Sequence, residues 1–181
     1  GASVTLGGGS RLVVDGLLEL QGDAAIYCVG KNRGAQVDGQ WAGAGVTIEA
    51  GSLVIGSGAR ITADGLGYLG GESGSIGSSG RGPGGAGADV YHGAGGGYGG
   101  GGGTTYGGIA YGSVLEPLDL GSGGGDNADN SPGGNGGAGG GAIHIKVSGT
   151  LTLEGTISAN GQDGVGGEQG VAGGVGDLDA G

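Results

Sequence analysis

The residues able to do chemistry are few and scattered. The two histidines stand apart: His92 follows Tyr91 in a glycine-rich stretch, and His144 falls on the polar phase of an alternating run. Glycoside hydrolysis needs two carboxylates flanking one cleft, and acidic residues such as Asp15, Glu49, Asp64, Glu116 and Glu154 show no such pairing by spacing. Lys and Arg number only 6, so a basic catalytic residue of the polysaccharide-lyase kind has few candidates, and Trp41 is the sole tryptophan that could serve a sugar platform. There is no G-x-S-x-G nucleophile elbow and no phosphate-binding G-x-x-x-x-G-K-S/T. A G-x-G-x-x-G carries no information where 59 of 181 residues are Gly. The expectation is a chain that is not an enzyme, with no catalytic residues. A polysaccharide-active enzyme is the third-ranked reading.

One segment could hold a cation. In GSGGGDNADNSPGG (residues 121–134), Asp126, Asn127, Asp129 and Asn130 offer hard oxygen ligands on a turn-prone loop, the ligand type that Ca²⁺ takes. The spacing matches neither an EF-hand loop nor the GGxGxD repeat, so a solvated acidic turn is the first reading of these residues and a Ca²⁺ site the second. No other cofactor is expected. Cys28 is the only cysteine, so an intrachain disulfide is impossible and a zinc site built on several cysteines cannot form. It reads as a small buried apolar residue between Tyr27 and Val29, with an intermolecular bridge as the other reading.

The charge balance narrows the partners. Asp plus Glu is 17, and the net charge is −11. Nucleic-acid binding rests on neutralising phosphates with Lys and Arg, and anionic membrane surfaces attract the same residues; neither partner is expected. No apolar run approaches the roughly 18 residues of a transmembrane helix. Methionine is absent, so the chain is expected to begin after processing or to be a piece of a longer protein. An extracellular or cell-surface location is the expectation.

Two textures must position whatever this chain does. The first is strand-like: short runs rich in Val, Ile, Leu and Thr, many alternating with a period of two, as in Val46-Thr47-Ile48-Glu49, Ile143-His144-Ile145-Lys146 and Leu151-Thr152-Leu153-Glu154. Such alternation gives one buried and one wet face. No segment keeps a period of 3.6, so no helix is expected. The second texture is glycine, filling residues 66–141 and resuming more weakly after 161.

An internal repeat organises the first texture. GVTIEAGSLVIGSGARITADG (residues 45–65) aligns with GAIHIKVSGTLTLEGTISANG (residues 141–161), matching Val46/Ile48 with Ile143/Ile145, Leu53/Ile55 with Leu151/Leu153, and Ile61/Ala63 with Ile157/Ala159. Residues 3–22 fit more loosely. One copy cannot bury its own apolar face, whereas stacked copies can. The fold class read from this is all-β: a short-rung β-solenoid-like scaffold with an inserted glycine-rich region of polyglycine-II type and essentially no α-helix. An antiparallel sandwich is the competing arrangement. The expected divisions are strand rungs over 1–65, the glycine-rich insert over 66–141, a returning rung over 142–161 and a glycine-rich tail over 162–181, all in one integrated domain.

The insert reads as ordered, because its two ends must return to one core and because it carries Tyr68, Tyr91, Tyr98, Tyr106 and Tyr111 in blocks. Polyglycine-II helices have three residues per turn, and only Gly lets them pack closely. The order GAGGGYGGGGG (93–103), YG…P…LGSGGG (111–125) and GGAGGGAIHIKVSGTLTLEGTISANGQDG (136–164) resembles a glycine-rich domain of large extracellular surface proteins of bacteria, archaea and plants. The resemblance implies location and fold, and no particular activity. Polyglycine bundles also occur in phage tail-tip adhesins and in a springtail antifreeze protein. This chain lacks the regular G-x-x repeat and paired cysteines of the antifreeze type.

Stacked rungs leave unpaired strand edges at both ends. The functional expectation is therefore a structural subunit of an extracellular filament or surface fibre, self-associating into a homopolymer by end-to-end strand addition. Ser3, Val4, Thr5 and Leu6 are the expected joining element, and their removal is expected to abolish polymers. The alternative is an adhesin or phage-tip-like module that binds a glycan or cell surface through Tyr91, Tyr98, Tyr106 and Tyr111.

Overall fold

Alternation decides the strands, and the best example is the central one. In Val46–Ile55 the residues Val46, Ile48, Ala50, Leu53 and Ile55 are buried while their neighbours are half-buried. The inward phase slips by one at Gly51-Ser52, so the strand bends there and resumes with Leu53 inward. In the computed structural model, which describes residues 1–72, 78–88, 93–103, 105–113, 115–127 and 134–165, eight strands form and no α-helix occurs among the described residues. They are β1 (Ser3–Gly7), β2 (Arg11–Leu20), β3 (Ala25–Val29), β4 (Val46–Ile55), β5 (Arg60–Thr62), β6 (Ile143–Val147), β7 (Leu151–Leu153) and β8 (Thr156–Ser158).

The strands make two sheets. Sheet A has the order β1-β3-β5-β8; sheet B has β2-β4-β6, with β7 also on β4 in line with β6. Every pairing between these strands is parallel, which removes the antiparallel sandwich. The chain visits the sheets in turn, and we call each passage through B and then A a rung: β2 with β3, β4 with β5, and β6 and β7 with β8. The pairing register is the one read from the repeat, with Val46 opposite Ile143, Leu53 opposite Leu151 and Ile61 opposite Ile157.

Inward residues of successive rungs pile into columns. Leu20, Ile26, Cys28, Ile48, Leu53, Ile55 and Ile61 form the buried core, each such side chain contributing roughly 1.5–3 kcal/mol on burial. The bends of the B strands also stack, and glycine is required where they touch. A Cβ on Gly51 would lie 2.5 Å from the Asp15 carbonyl oxygen, and one on Gly149 would lie 2.7 Å from that of Gly51.

All connections from sheet A to sheet B leave at one corner, and they lengthen along the chain: residues 8–10, then 30–45, then 63–142. The glycine-rich region is the third of these. Residues 30–45 brace its beginning. Trp41 stacks edge-on against Tyr68 at 5.3 Å between ring centres, the Tyr68 hydroxyl accepts the Gly43 N–H at 2.8 Å, and the Arg33 guanidinium donates to the carbonyl oxygens of Gly65 and Gly67 at 2.7 and 2.5 Å.

Candidate functional site

The columns do not stop at the ends of the stack; they run out into solvent. Leu53 and Ile55 are completely buried, yet Leu151 and Leu153, directly opposite them on β7, are 48% and 50% exposed. At the other end Val4, opposite buried Ile26, is 54% exposed. Among the described residues no strand pairs with the outer edges of β1, β2, β6, β7 or β8. Each end therefore presents a row of backbone N–H and C=O groups beside inward-phase aliphatic side chains, which is the chemistry that accepts an added strand. Ser3, Val4, Thr5 and Leu6 lie in β1, the edge strand of sheet A; the first three are exposed and Leu6 packs half-buried against the core. Leu151 and Leu153 had been legible only as inward-phase residues. Their exposure reflects that their rung is the last among those described.

The glycine-rich insert is built on three-way hydrogen bonding. Its central segment, residues 120–126, is buried throughout. Successive N–H groups there turn to three different neighbours and then repeat. Gly121 and Gly124 donate to Gly140 and Gly137, Ser122 and Gly125 to Gly97 and Ala94, and Gly123 and Asp126 to Arg81 and Ser78. A period of three lets one chain pair with three others, and it answers the demand that buried N–H groups be satisfied. Side chains are excluded at the contacts: a Cβ on Gly123 would sit 2.0 Å from the Leu69 carbonyl oxygen.

The tyrosines expected on a binding surface divide. Tyr98 and Tyr111 pack edge-to-face at 5.2 Å between ring centres, and Tyr98 is buried, which corrects its expected place on the surface. Tyr111, against which Tyr98 packs, is held by a polar relay. The Gly84 N–H donates to Ser122 Oγ at 3.0 Å, Ser122 Oγ donates to the Tyr111 hydroxyl at 2.9 Å, and that hydroxyl donates to the Leu120 carbonyl. Tyr111 is thus a structural plug; burial raises its phenol and that of Tyr98 above the ordinary range. Tyr106 remains exposed, and further along the same stretch of chain Ile109, Leu115 and Leu118 are exposed too, Leu115 at 90%. Tyr91, together with His92, lies outside the described residues.

The acidic loop also differs from its expected form. Asp126 belongs to the central buried segment and is 1% exposed, so it is not a wet turn residue. Its Oδ1 accepts the Ser78 N–H at 2.7 Å, and Asn127 Oδ1 accepts the Gly134 N–H at 2.6 Å. The two Oδ1 atoms thus tie the insert together, while Asp126 Oδ2 is buried with no hydrogen-bond partner among the described residues. Asp129 and Asn130 lie outside the described residues, and among the described residues no three His, Cys, Asp or Glu side chains gather as a metal would need.

Several other titratable groups serve the scaffold. On the outer face of sheet B the Arg11 guanidinium pairs with Glu49, whose carboxyl it holds below the usual range, and Lys146 stands 3.9 Å from the same carboxylate. Such exposed pairs contribute little. At the corner after β5, burial pulls the Asp64 carboxyl up, but donation from Ser158 Oγ at 2.7 Å and the Asn160 N–H at 2.6 Å outweighs it, and the carboxyl stays below its ordinary range. Cys28 is buried, and desolvation pushes its thiol up to about 11. Against protein-family models, curated proteins and solved structures, this chain finds no match.

Proposed function

We propose that this chain is a structural subunit of an extracellular or cell-surface fibre: a stretch of β-solenoid whose glycine-rich insert is of the polyglycine-II type, joined end to end by strand addition. The observation that carries the reading is the pair of open ends. The exposed Leu151 and Leu153 at one end and the inward residues Leu12, Val14 and Leu18 of β2 at the other belong to the same columns. One end can therefore cover the other as β4 covers β7 within the chain. A contact between two different ends of identical copies does not close on itself, and it produces filaments. The three-residue alternation of hydrogen bonds along residues 121–126 supports the polyglycine part of the reading. The test is sedimentation velocity over a range of concentrations, with electron microscopy of the same samples. Growth of uniform rods with concentration is expected, and discrete particles at every concentration would remove the proposal.

A second reading rests on a different observation, the exposed apolar residues Tyr106, Ile109, Leu115 and Leu118 that recur along residues 106–118 of the insert. It would make the chain an adhesin that presents this stretch to a glycan or cell surface. A glycan-binding screen with Tyr106→Ala and Leu115→Ala separates the two: binding lost in both variants, with no rods formed, would favour the adhesin.

A further inference from the structure

The two sheets do not have the same number of layers. Counted along the stack, sheet A holds β1, β3, β5 and β8, while sheet B holds β2, β4 and then β6 and β7 side by side. The described strands therefore begin and end in sheet A. This asymmetry constrains how a second copy can be added, and the inference drawn from it rests on the assembly reading above.

Consider a second copy placed so that its β2 pairs with the open edge of β6 and β7. Sheet B then continues without a break. Ile145, Val147, Leu151 and Leu153 meet the second copy's Leu12, Val14, Leu18 and Leu20, the residues that inside one chain meet Ile48, Ala50, Leu53 and Ile55. The same placement puts β1 of the second copy on the position held by β8 of the first. Moving the second copy one layer further relieves the clash and lets β1 pair with β8. Sheet B is then left with a layer empty, its strands about twice the usual 4.7–4.9 Å spacing apart, and Leu151 and Leu153 stay uncovered.

The sequence of β1 suggests which arrangement the molecule uses. Opposite Ala25, Ile26 and Tyr27 stand Ser3, Val4 and Thr5; opposite Arg60, Ile61 and Thr62 stand Thr156, Ile157 and Ser158. Both triplets read hydroxyl, β-branched aliphatic, hydroxyl. β8 of a neighbour would therefore fit the seat that β1 occupies on β3, with Ile157 taking the place of Val4 against Ile26. β1 is also lightly held. It pairs only with β3 and Val4 is half exposed; the link to β2 runs through Gly8 and Gly9, the latter at φ +79° with its N–H bonded to the Gly45 carbonyl at 2.7 Å, so an exchange would pivot there.

We infer that β1 is a displaceable stand-in for β8 of a second copy: it caps sheet A of the free chain and is exchanged for the neighbour's β8 when copies join. The joining strand is then β8, and β1 acts as the brake on assembly.

Two variants test this in the full chain's background. The first carries Thr5→Cys with Tyr27→Cys, residues directly opposite on the outward face of β1 and β3; parallel neighbours at this spacing are within disulfide reach. Oxidation pins β1 in its seat, and assembly should stop until a reductant is added. The second variant lacks residues 1–7 and should form rods at a concentration about tenfold lower than the intact chain, a shift of about 1.4 kcal/mol. Rod formation by the oxidised pinned chain equal to that of its reduced form would overturn the inference while leaving the fibre reading intact. Loss of rods on truncation, with the pinned chain still assembling, would assign the join to β1 paired with β8. If neither the intact, reduced nor truncated chain forms rods, both the inference and the fibre reading fall.

Discussion

Leu53 and Leu151 face each other across neighbouring parallel strands, yet one is completely buried and the other is 48% exposed. The difference is their place in the stack. Leu53 has a leucine on either side, Leu18 and Leu151, whereas among the described residues Leu151 has one on one side only.

The two positions should therefore respond differently to mutation. Leu53→Ala opens a cavity in the core and should cost about 2–5 kcal/mol of unfolding free energy, read by urea denaturation. Leu151→Lys should change that free energy by less than about 1 kcal/mol but abolish concentration-dependent growth in sedimentation velocity. A normal assembly profile for Leu151→Lys would exclude this end from the joint.

Glycine in the insert is required at some positions and free at others. Gly123→Ala brings a methyl group against the Leu69 carbonyl and should destabilise the insert by about 1–3 kcal/mol or more. Gly100→Ala meets nothing within 4 Å and should be silent. Hydrogen exchange of the Gly121 to Asp126 amides is the direct readout, with protection lost in the first variant and kept in the second.

The Cys28 thiol should be almost inert. It is 1% exposed and its ionisation is pushed up to about 11 by burial, so little reactive thiolate exists near pH 8. A chromogenic disulfide reagent should label it slowly in the native chain and at once after denaturation. Rapid native labelling would reopen the reading of Cys28 as an intermolecular bridge.

Acid should loosen the third rung. The Asp64 carboxyl, at the corner after β5, is stabilised as an anion by donors from Ser158, the last residue of β8, and Asn160 just beyond it. Its folded-state value lies below the unfolded one, so its contribution is present above about pH 4 and is lost as pH falls through the lower folded value. Asp64→Asn should lower Tm at pH 7 and flatten the acid side of the Tm profile. The size of the effect should be about 1–2 kcal/mol, as for charge-assisted hydrogen bonds near a surface.

The strands and their register could be read in advance because aliphatic side chains report burial by alternation. Matching Ile48 with Ile145 and Leu53 with Leu151 in sequence was enough to bring them face to face. The glycine insert was legible only as a composition, since a run of identical residues carries no phase. Its three-way bonding depends on which distant carbonyl each N–H meets. Tyr98 and Tyr111 were expected outside because an amphipathic ring suits either a core or a surface. Tyr111 is held inward by the Ser122 relay, whose partners are separated along the chain by up to 38 positions, and Tyr98 is buried with its ring edge-on to Tyr111. Asp126 was hidden for a similar reason: amid Asn, Asp and Pro it looks like a wet turn, and only the Ser78 backbone shows that it faces inward.

The corner from which the insert departs has a mechanical consequence. Residues 63–142 leave after β5 and return at β6, so the bundle is anchored to the second and third rungs at once. Tension that peels the third rung from the second must also shear the bundle, in which residues 121–126 are bonded to three neighbours. Strand edges alone would part like a zipper, one bond after another. The bundle instead loads many bonds together, so it reinforces the stack against pulling at the junction between those two rungs.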